Sequence, residues 1–193
     1  MRDKETAVIK YLIENKEREL NIRVLSMALK MDYKNVYSIV KRLEKEQLIK
    51  LESFGQSNRV RLVSRIHPLI FKAEYERRED FLKDKNFAVM LVNFMKSLKS
   101  KFYVLLLFGS YAKKTQMGNS DIDLMFICPD GSEELFERGV QRISESMPLP
   151  LHPLVFSEKQ FVDMVDAKGL NVVKEALRVN VVLYGIEFYY GLM

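Results

Sequence analysis

Apolar residues recur at helical spacing in three runs near the start of the chain. "ETAVIKYLIEN" puts Val8, Tyr11, Leu12 and Asn15 on one stripe with Ile13 beside it. "LNIRVLSMALKM" puts Ile22, Leu25, Ala28 and Leu29 on one face. In "YKNVYSIVKRLEKE" the stripe is Val36, Ile39, Val40 and Leu43, and Asp32 just before it is a natural N-cap. The opposite face of that third helix is polar: Lys34, Asn35, Tyr37, Ser38, Lys41 and Arg42. The period then changes. "LIKLESFGQSNRVRLV" reads as two short strands, opened by Leu48 and Ile49 and filled by Val60, Leu62 and Val63, with "FGQSN" as the turn.

Residues 67–100 contain no glycine and one proline, Pro68. Phe71, Tyr75, Phe81 and Leu82 fall at helical spacing, and Phe87, Met90, Leu91, Phe94 and Leu98 form a second stripe. "KDKN" separates the two helices, and His67, before Pro68, has a structural place. "KFYVLLLFGS" is then a continuous apolar run, the mark of a central strand buried on both faces, and it stops at Gly109-Ser110. A short helix "SYAKKT" and a loop with Gly118 follow. "SDIDLMFIC" is the next strand, and its alternation puts Asp121 and Asp123 on one face. "PDGSEELFERGVQRISESM" is an amphipathic helix with Ser132 as cap and Leu135, Phe136, Val140 and Ile143 as inner stripe. "LPLHPLVF" is a third strand. "SEKQFVDMV" opens a helix with a Ser157/Gln160 capping box. "GLNVVKEALRVNVVLYG" is a last helix and strand.

Composition narrows the class. Hydrophobic residues are 48% of the 193, enough for a folded core. The one cysteine, Cys128, excludes an internal disulfide framework and reads as an inert core thiol. No apolar run approaches the roughly 20 residues of a membrane-spanning helix, and the first residues lack a secretory apolar segment. A cytoplasmic protein without membrane partners is expected. The net charge is +5 and unevenly placed. Residues 1–66 hold 15 Lys/Arg against 9 Asp/Glu, and the remainder 16 against 17. The excess in the first third points to a polyanion partner there.

Three short helices followed by a basic hairpin resemble the winged helix-turn-helix of prokaryotic transcription regulators. The run "IRVLSMALKMDYKNVYSIVKRLEKEQLIK" carries the likeness. It implies a recognition helix from Tyr33 to Glu46 whose Lys34, Asn35, Tyr37, Ser38, Lys41 and Arg42 contact double-stranded DNA, with Arg59 and Arg61 on the wing. The same fold also serves dimer and protein contacts, so a homodimer is an alternative use.

The Gly-Ser turn and the Asp-x-Asp strand carry the chemistry. Gly109 lets a phosphate approach the backbone, and Ser110 with the N–H groups after it can donate to phosphate oxygens. Two carboxylates on one face repel, and a divalent cation compensates both. Mg²⁺ (or Mn²⁺) accepts such oxygens together with substrate phosphates. Lys113 and Lys114 can offset triphosphate charge.

From about Val104 onward the chain resembles the minimal nucleotidyltransferases of the DNA polymerase β superfamily. The matching residues are Gly109-Ser110, Ser120-Asp121-Ile122-Asp123 and the closing "LYG". The resemblance implies that Gly109, Ser110, Lys113, Lys114 and Ser120 bind a nucleoside triphosphate and that Asp121 and Asp123 hold the metal. Where relatives often have Ala-Arg-Gly, this chain has Ala112-Lys113-Lys114, which keeps charge and loses the guanidinium fork. Active members place a third carboxylate on the strand that is here "LPLHPLVF", which has no acid; His152 stands at roughly that position. Imidazole exchanges protons near neutral pH, so His152 is the third catalytic candidate with Asp121 and Asp123. Glu158 reads instead as an acid in a first helical turn.

The expectation is an α+β protein. A winged helix of three helices plus a β-hairpin spans 1–66, a helical connector 67–100, and an α/β nucleotidyltransferase domain with a mixed central sheet 101–193. The implied activity is transfer of a nucleoside monophosphate to an acceptor. The alternative is a transcription regulator whose second domain is catalytically weak or inactive and only binds nucleotide or mediates assembly.

Overall fold

The computed structural model describes residues 2–55 and 57–193; Gln56, within the expected "FGQSN" turn, lies outside them. The chain divides into two compact units, residues 1–76 with Met193 and residues 77–192.

The first unit opens with α1 (Arg2–Glu14), α2 (Ile22–Leu29) and α3 (Tyr33–Lys45). Asn21 caps α2 by accepting from the Val24 N–H, and Asp32 caps α3 by accepting from the Lys34 and Asn35 N–H groups. Val8, Ile9, Leu12, Ile22, Leu25, Val36, Val40 and Leu43 are buried, whereas Ala28, expected on the inner stripe of α2, is exposed. Strands β1 (Ile49–Phe54) and β2 (Ser57–Leu62) pair antiparallel, Ile49 opposite Leu62. The Val60 N–H also donates to the Leu20 carbonyl at 2.7 Å, which pins β2 to the segment before α2. Helix α4 (Pro68–Phe81) begins in this unit and ends in the second. Its start is fixed by His67, whose Nδ1 accepts from the Leu69 N–H at 3.2 Å.

The second unit is α+β around a mixed sheet of order β5-β4-β3-β6. The strands are β3 (Val104–Leu107), β4 (Ile122–Cys128), β5 (Leu151–Ser157) and β6 (Val181–Tyr184). β3 runs antiparallel to both β4 and β6, and β4 runs parallel to β5. β3 is therefore interior and its four residues are buried, as the apolar run predicts, though it is shorter than that run. Six helices complete the unit: α5 (Lys85–Ser97), α6 (Gly109–Lys113), α7 (Glu133–Glu145), α8 (Glu158–Asp166), α9 (Val172–Arg178) and α10 (Ile186–Gly191). Asp84, inside "KDKN", caps α5 through the Asn86 N–H.

Alternation along β4 decides where chemistry can sit. Ile122, Leu124, Phe126 and Cys128 enter one core with Phe87 and Phe94 of α5 and Phe136 and Val140 of α7. Burial pushes the Cys128 thiol pKa up, as befits an inert thiol. Asp123 belongs to the other face. Leu135, expected in the core with Phe136, is instead 66% exposed.

β5 is an edge strand, and three of its four outward amide positions are unavailable to an added strand. The register of β4 and β5 turns the amides of Leu151, Pro153, Val155 and Ser157 outward. The Leu151 N–H bonds the Leu149 carbonyl, Pro153 has no N–H, and the Ser157 N–H bonds Gln160 Oε1.

Candidate active site

β3 delivers the Gly-Ser turn. The Phe108 N–H donates to the Asp123 carbonyl at 3.0 Å, extending the β3–β4 ladder by one residue. Gly109 then turns left-handed, with φ +68°, into α6. A Cβ built on Gly109 would lie 2.0 Å from Asp123 Oδ2 and 3.0 Å from its Cγ. The glycine is thus required twice, for its φ and for the space its hydrogen leaves to a carboxylate. A phosphate was the expected visitor at this backbone; the atom actually against it is the Asp123 oxygen.

The other Asp123 oxygen has its own partner. Asp123 and His152 are register neighbours on parallel strands, and His152 Nδ1 lies 3.1 Å from Asp123 Oδ1. Asp123 is 27% exposed and His152 59%. Gly109, Asp123 and His152 are therefore brought together, and Asp121, one alternation before Asp123, stands exposed at the entrance to β4.

The remaining candidates are spread around this centre. Ser110 opens α6 beside Gly109, and its carbonyl accepts from the Thr115 N–H at 2.9 Å. Lys113 Nζ is 3.3 Å from Glu175 Oε1 of α9. Lys114 closes α6 in the left-handed conformation. The Ser120 hydroxyl accepts from the Met117 N–H at 2.8 Å and its own N–H returns to the Met117 carbonyl, so it staples the loop before β4. Glu158 follows the capping residue Ser157 at the far end of β5. Six residues of strand put it about 20 Å from His152, too far to serve the same metal. Glu175 is the acid that the fold brings to the Gly-Ser helix, and sequence reading passed over it because it lies 62 residues from its partner.

On the polar face of α3, Lys34, Asn35, Tyr37, Ser38 and Lys41 are exposed. Lys41 pairs with Glu44 at 2.8 Å, and Arg42 turns to the buried Glu5 of α1. Arg59 lies 3.4 Å from Glu19, and Arg61 3.0 Å from Glu52.

The donors near Gly109 suit a hard cation. Among the described residues no three His, Cys, Asp or Glu side chains converge as a complete metal cage. Mg²⁺ does not require one, because it is commonly held by one or two carboxylates with substrate phosphates and water completing its shell. Asp121 and Asp123 fit that pattern.

A Gly-Ser turn locked against an Asp-x-Asp strand in a mixed sheet defines a nucleotidyltransferase-type domain. The family model described as "Polymerase beta, Nucleotidyltransferase" matches residues 91–188, just over half of the chain, and the protein belongs to that family. Neither the curated proteins nor the solved structures contain a significant match.

Proposed function

We propose that this protein binds duplex DNA through a winged helix in its first unit and a Mg–nucleoside triphosphate in its second, with slow transfer of the nucleoside monophosphate to an acceptor hydroxyl. The observation that carries the nucleotide half is the position of Asp123 Oδ2 in the space a Gly109 side chain would fill. The turn that would receive phosphates and the carboxylate that would receive metal are built as one piece.

In this reading Asp121 and Asp123 hold Mg²⁺ or Mn²⁺. When bound, the metal neutralises triphosphate charge and polarises the phosphorus under attack. Gly109 and Ser110 receive phosphate oxygens, and Lys113 exchanges Glu175 for a phosphate; a surface pair of this kind holds it by only about 0–1 kcal/mol. His152 Nδ1 lies against Asp123 Oδ1, and in the tautomer that donates from Nδ1 the free lone pair is on Nε2. Nε2 accepts the acceptor's proton as its oxygen bonds the α-phosphorus, the α–β bridging bond breaks, and pyrophosphate leaves. The strand β5 supplies no carboxylate, which favours low turnover and keeps alive the second reading, a regulator whose family domain only senses nucleotide.

Calorimetric titration with a nucleoside triphosphate, with and without Mg²⁺, tests the site. Binding is expected to require Mg²⁺ in the wild type and to lose that requirement, with most of its affinity, in Asp121→Asn/Asp123→Asn. Equal binding by both proteins would assign the pair a structural role.

The DNA half rests on the charge excess of residues 1–66 and on the exposed polar face of α3 opposite its buried stripe. The ion pairs of Lys41 and Arg61 are exposed enough for phosphate oxygens to compete with them, whereas Arg59 is more covered.

A further inference from the structure

The second unit carries a cavity that nucleotide chemistry does not use. It has a volume of about 260 Å³ and lies between the end of α5 and the outer face of α7. These helices cover the Phe126 face of the sheet, opposite Asp123. Leu98, Leu135 and Phe136 give it an apolar wall, Lys99, Arg138 and Arg142 surround it with positive charge, and no Asp or Glu lines it.

Three features of this cavity are unfavourable for the fold alone. Leu135 is two-thirds exposed at a position where the helical stripe predicts core. Arg138 and Arg142 sit at i and i+4, where like charges repel. Gly139 occupies the interior of α7, where glycine costs about 0.5–1 kcal/mol relative to alanine. Packing does not demand that glycine, because a Cβ there would meet only Leu98 Cδ2, at an ordinary 3.4 Å. What the missing side chain preserves is the cavity.

The cations are also available. Arg138 is shared with Glu134 at 3.2 Å, but among the described residues Lys99 and Arg142 have no acidic partner. At the end of α5 it is Lys101, not Lys99, that donates to carbonyls, those of Met95 and Leu98.

We propose that this cavity is a second ligand site, for a small organic anion with a compact apolar body. The body packs on Leu135 and Phe136 over Gly139, and its carboxylate, sulfonate or phosphate is received by Arg142 and Lys99. The volume lies just below the roughly 300–1,000 Å³ of pockets that take drug-sized ligands, which sets the ligand's scale.

The test is a fluorescence titration of the full chain with 8-anilinonaphthalene-1-sulfonate, an aromatic anion, beside its uncharged relative N-phenyl-1-naphthylamine. The wild type is expected to bind the sulfonate saturably, with one site, and more weakly as salt is raised. Arg142→Gln/Lys99→Gln, both on exposed side chains, should weaken it about tenfold or more. Gly139→Leu should block it, with an unchanged cooperative unfolding curve as the check on folding. Asp121→Asn/Asp123→Asn should leave it unaltered. Absence of saturable binding, equal binding of the neutral probe, or indifference to the Arg142/Lys99 change would each overturn the proposal.

Discussion

Gly109 shows how one residue links fold to chemistry. Sequence alone gives the glycine a phosphate to meet; the structure gives it a carboxylate, because strand register, invisible in the motif, sets Asp123 against it. Gly109→Ala would add both a left-handed strain and a collision with Asp123 Oδ2, and the carboxylate can move only by leaving His152 or the metal position. We expect unfolding free energy to fall by about 1–3 kcal/mol in urea titrations and Mg-dependent nucleotide affinity to be lost at the same time. Full affinity in a destabilised variant would separate the two roles and refute the coupling. His152 was legible as the stand-in for an acid, but its partner was not, since parallel pairing with β4 is what sets it 3.1 Å from Asp123. His152→Asp restores a carboxylate at that position, and pyrophosphate release from a labelled triphosphate should rise. The gain expected is that of a further oxygen ligand for the metal, because the imidazole it replaces already serves as the proton acceptor. A rate that stays at the wild-type level would mean that position 152 does not occupy the place of the third carboxylate.

At the scale of elements, the sequence was most legible where local chemistry closes on itself. The Ser157/Gln160 capping box forms in full, and Asp32 caps α3, because each needs only residues within one turn. It was least legible where a face meets something distant. Ser132 sits at the start of α7 but donates to the Pro129 carbonyl instead of capping, and Leu135 keeps the period of a core residue without a core to enter. The run "FYVLLLF" yields only four strand residues, and α10 was not anticipated, because both depend on how the chain closes at Gly185. That glycine starts α10 with φ +76°, and a Cβ there would lie 2.4 Å from the Tyr103 carbonyl oxygen. Tyr103 in turn stacks on Tyr184, with ring centroids 4.4 Å apart, and its buried hydroxyl has a pKa raised by desolvation. The "LYG" ending is therefore a packing device. Gly131, also at positive φ but with open space around it, is the control. Gly131→Ala should cost about 1–2 kcal/mol for conformation alone. Gly185→Ala should exceed that by about 1 kcal/mol or more, because backbone must shift. Chemical denaturation of the two variants would decide it, and equal losses would show that the Tyr103 contact relaxes freely.

For the whole molecule, the uneven charge is the property that spans both units. The +6 of residues 1–66 stands beside −1 for the rest, so the net attraction for a nucleic-acid polyanion is concentrated in the first third of the chain. Composition made that legible; which cations remain for a partner was not, because ion pairs form between residues far apart in sequence. Arg42 looks like a groove-facing side chain by period, yet it is spent on Glu5, which is 6% exposed. Reversing Arg42 would set two carboxylates together in the first unit and unfold it, so loss of DNA binding there would say little. Lys34 and Lys41 are better probes. Both are exposed, Lys41 gives up only a surface pair with Glu44, and a glutamate at position 34 falls in the first turn of α3, where negative charge suits the helix N-terminus. Lys34→Glu/Lys41→Glu should therefore stay folded. In equilibrium binding to duplex DNA the wild type is expected to show log affinity falling steeply with log salt. The double variant should bind weakly at every salt concentration, with a slope shallower by about two. Mg-dependent nucleotide binding in the second unit should be unchanged in the same protein. No duplex affinity at low salt, or affinity and slope identical in the two proteins, would remove DNA as the partner and leave the charged end to a different polyanion.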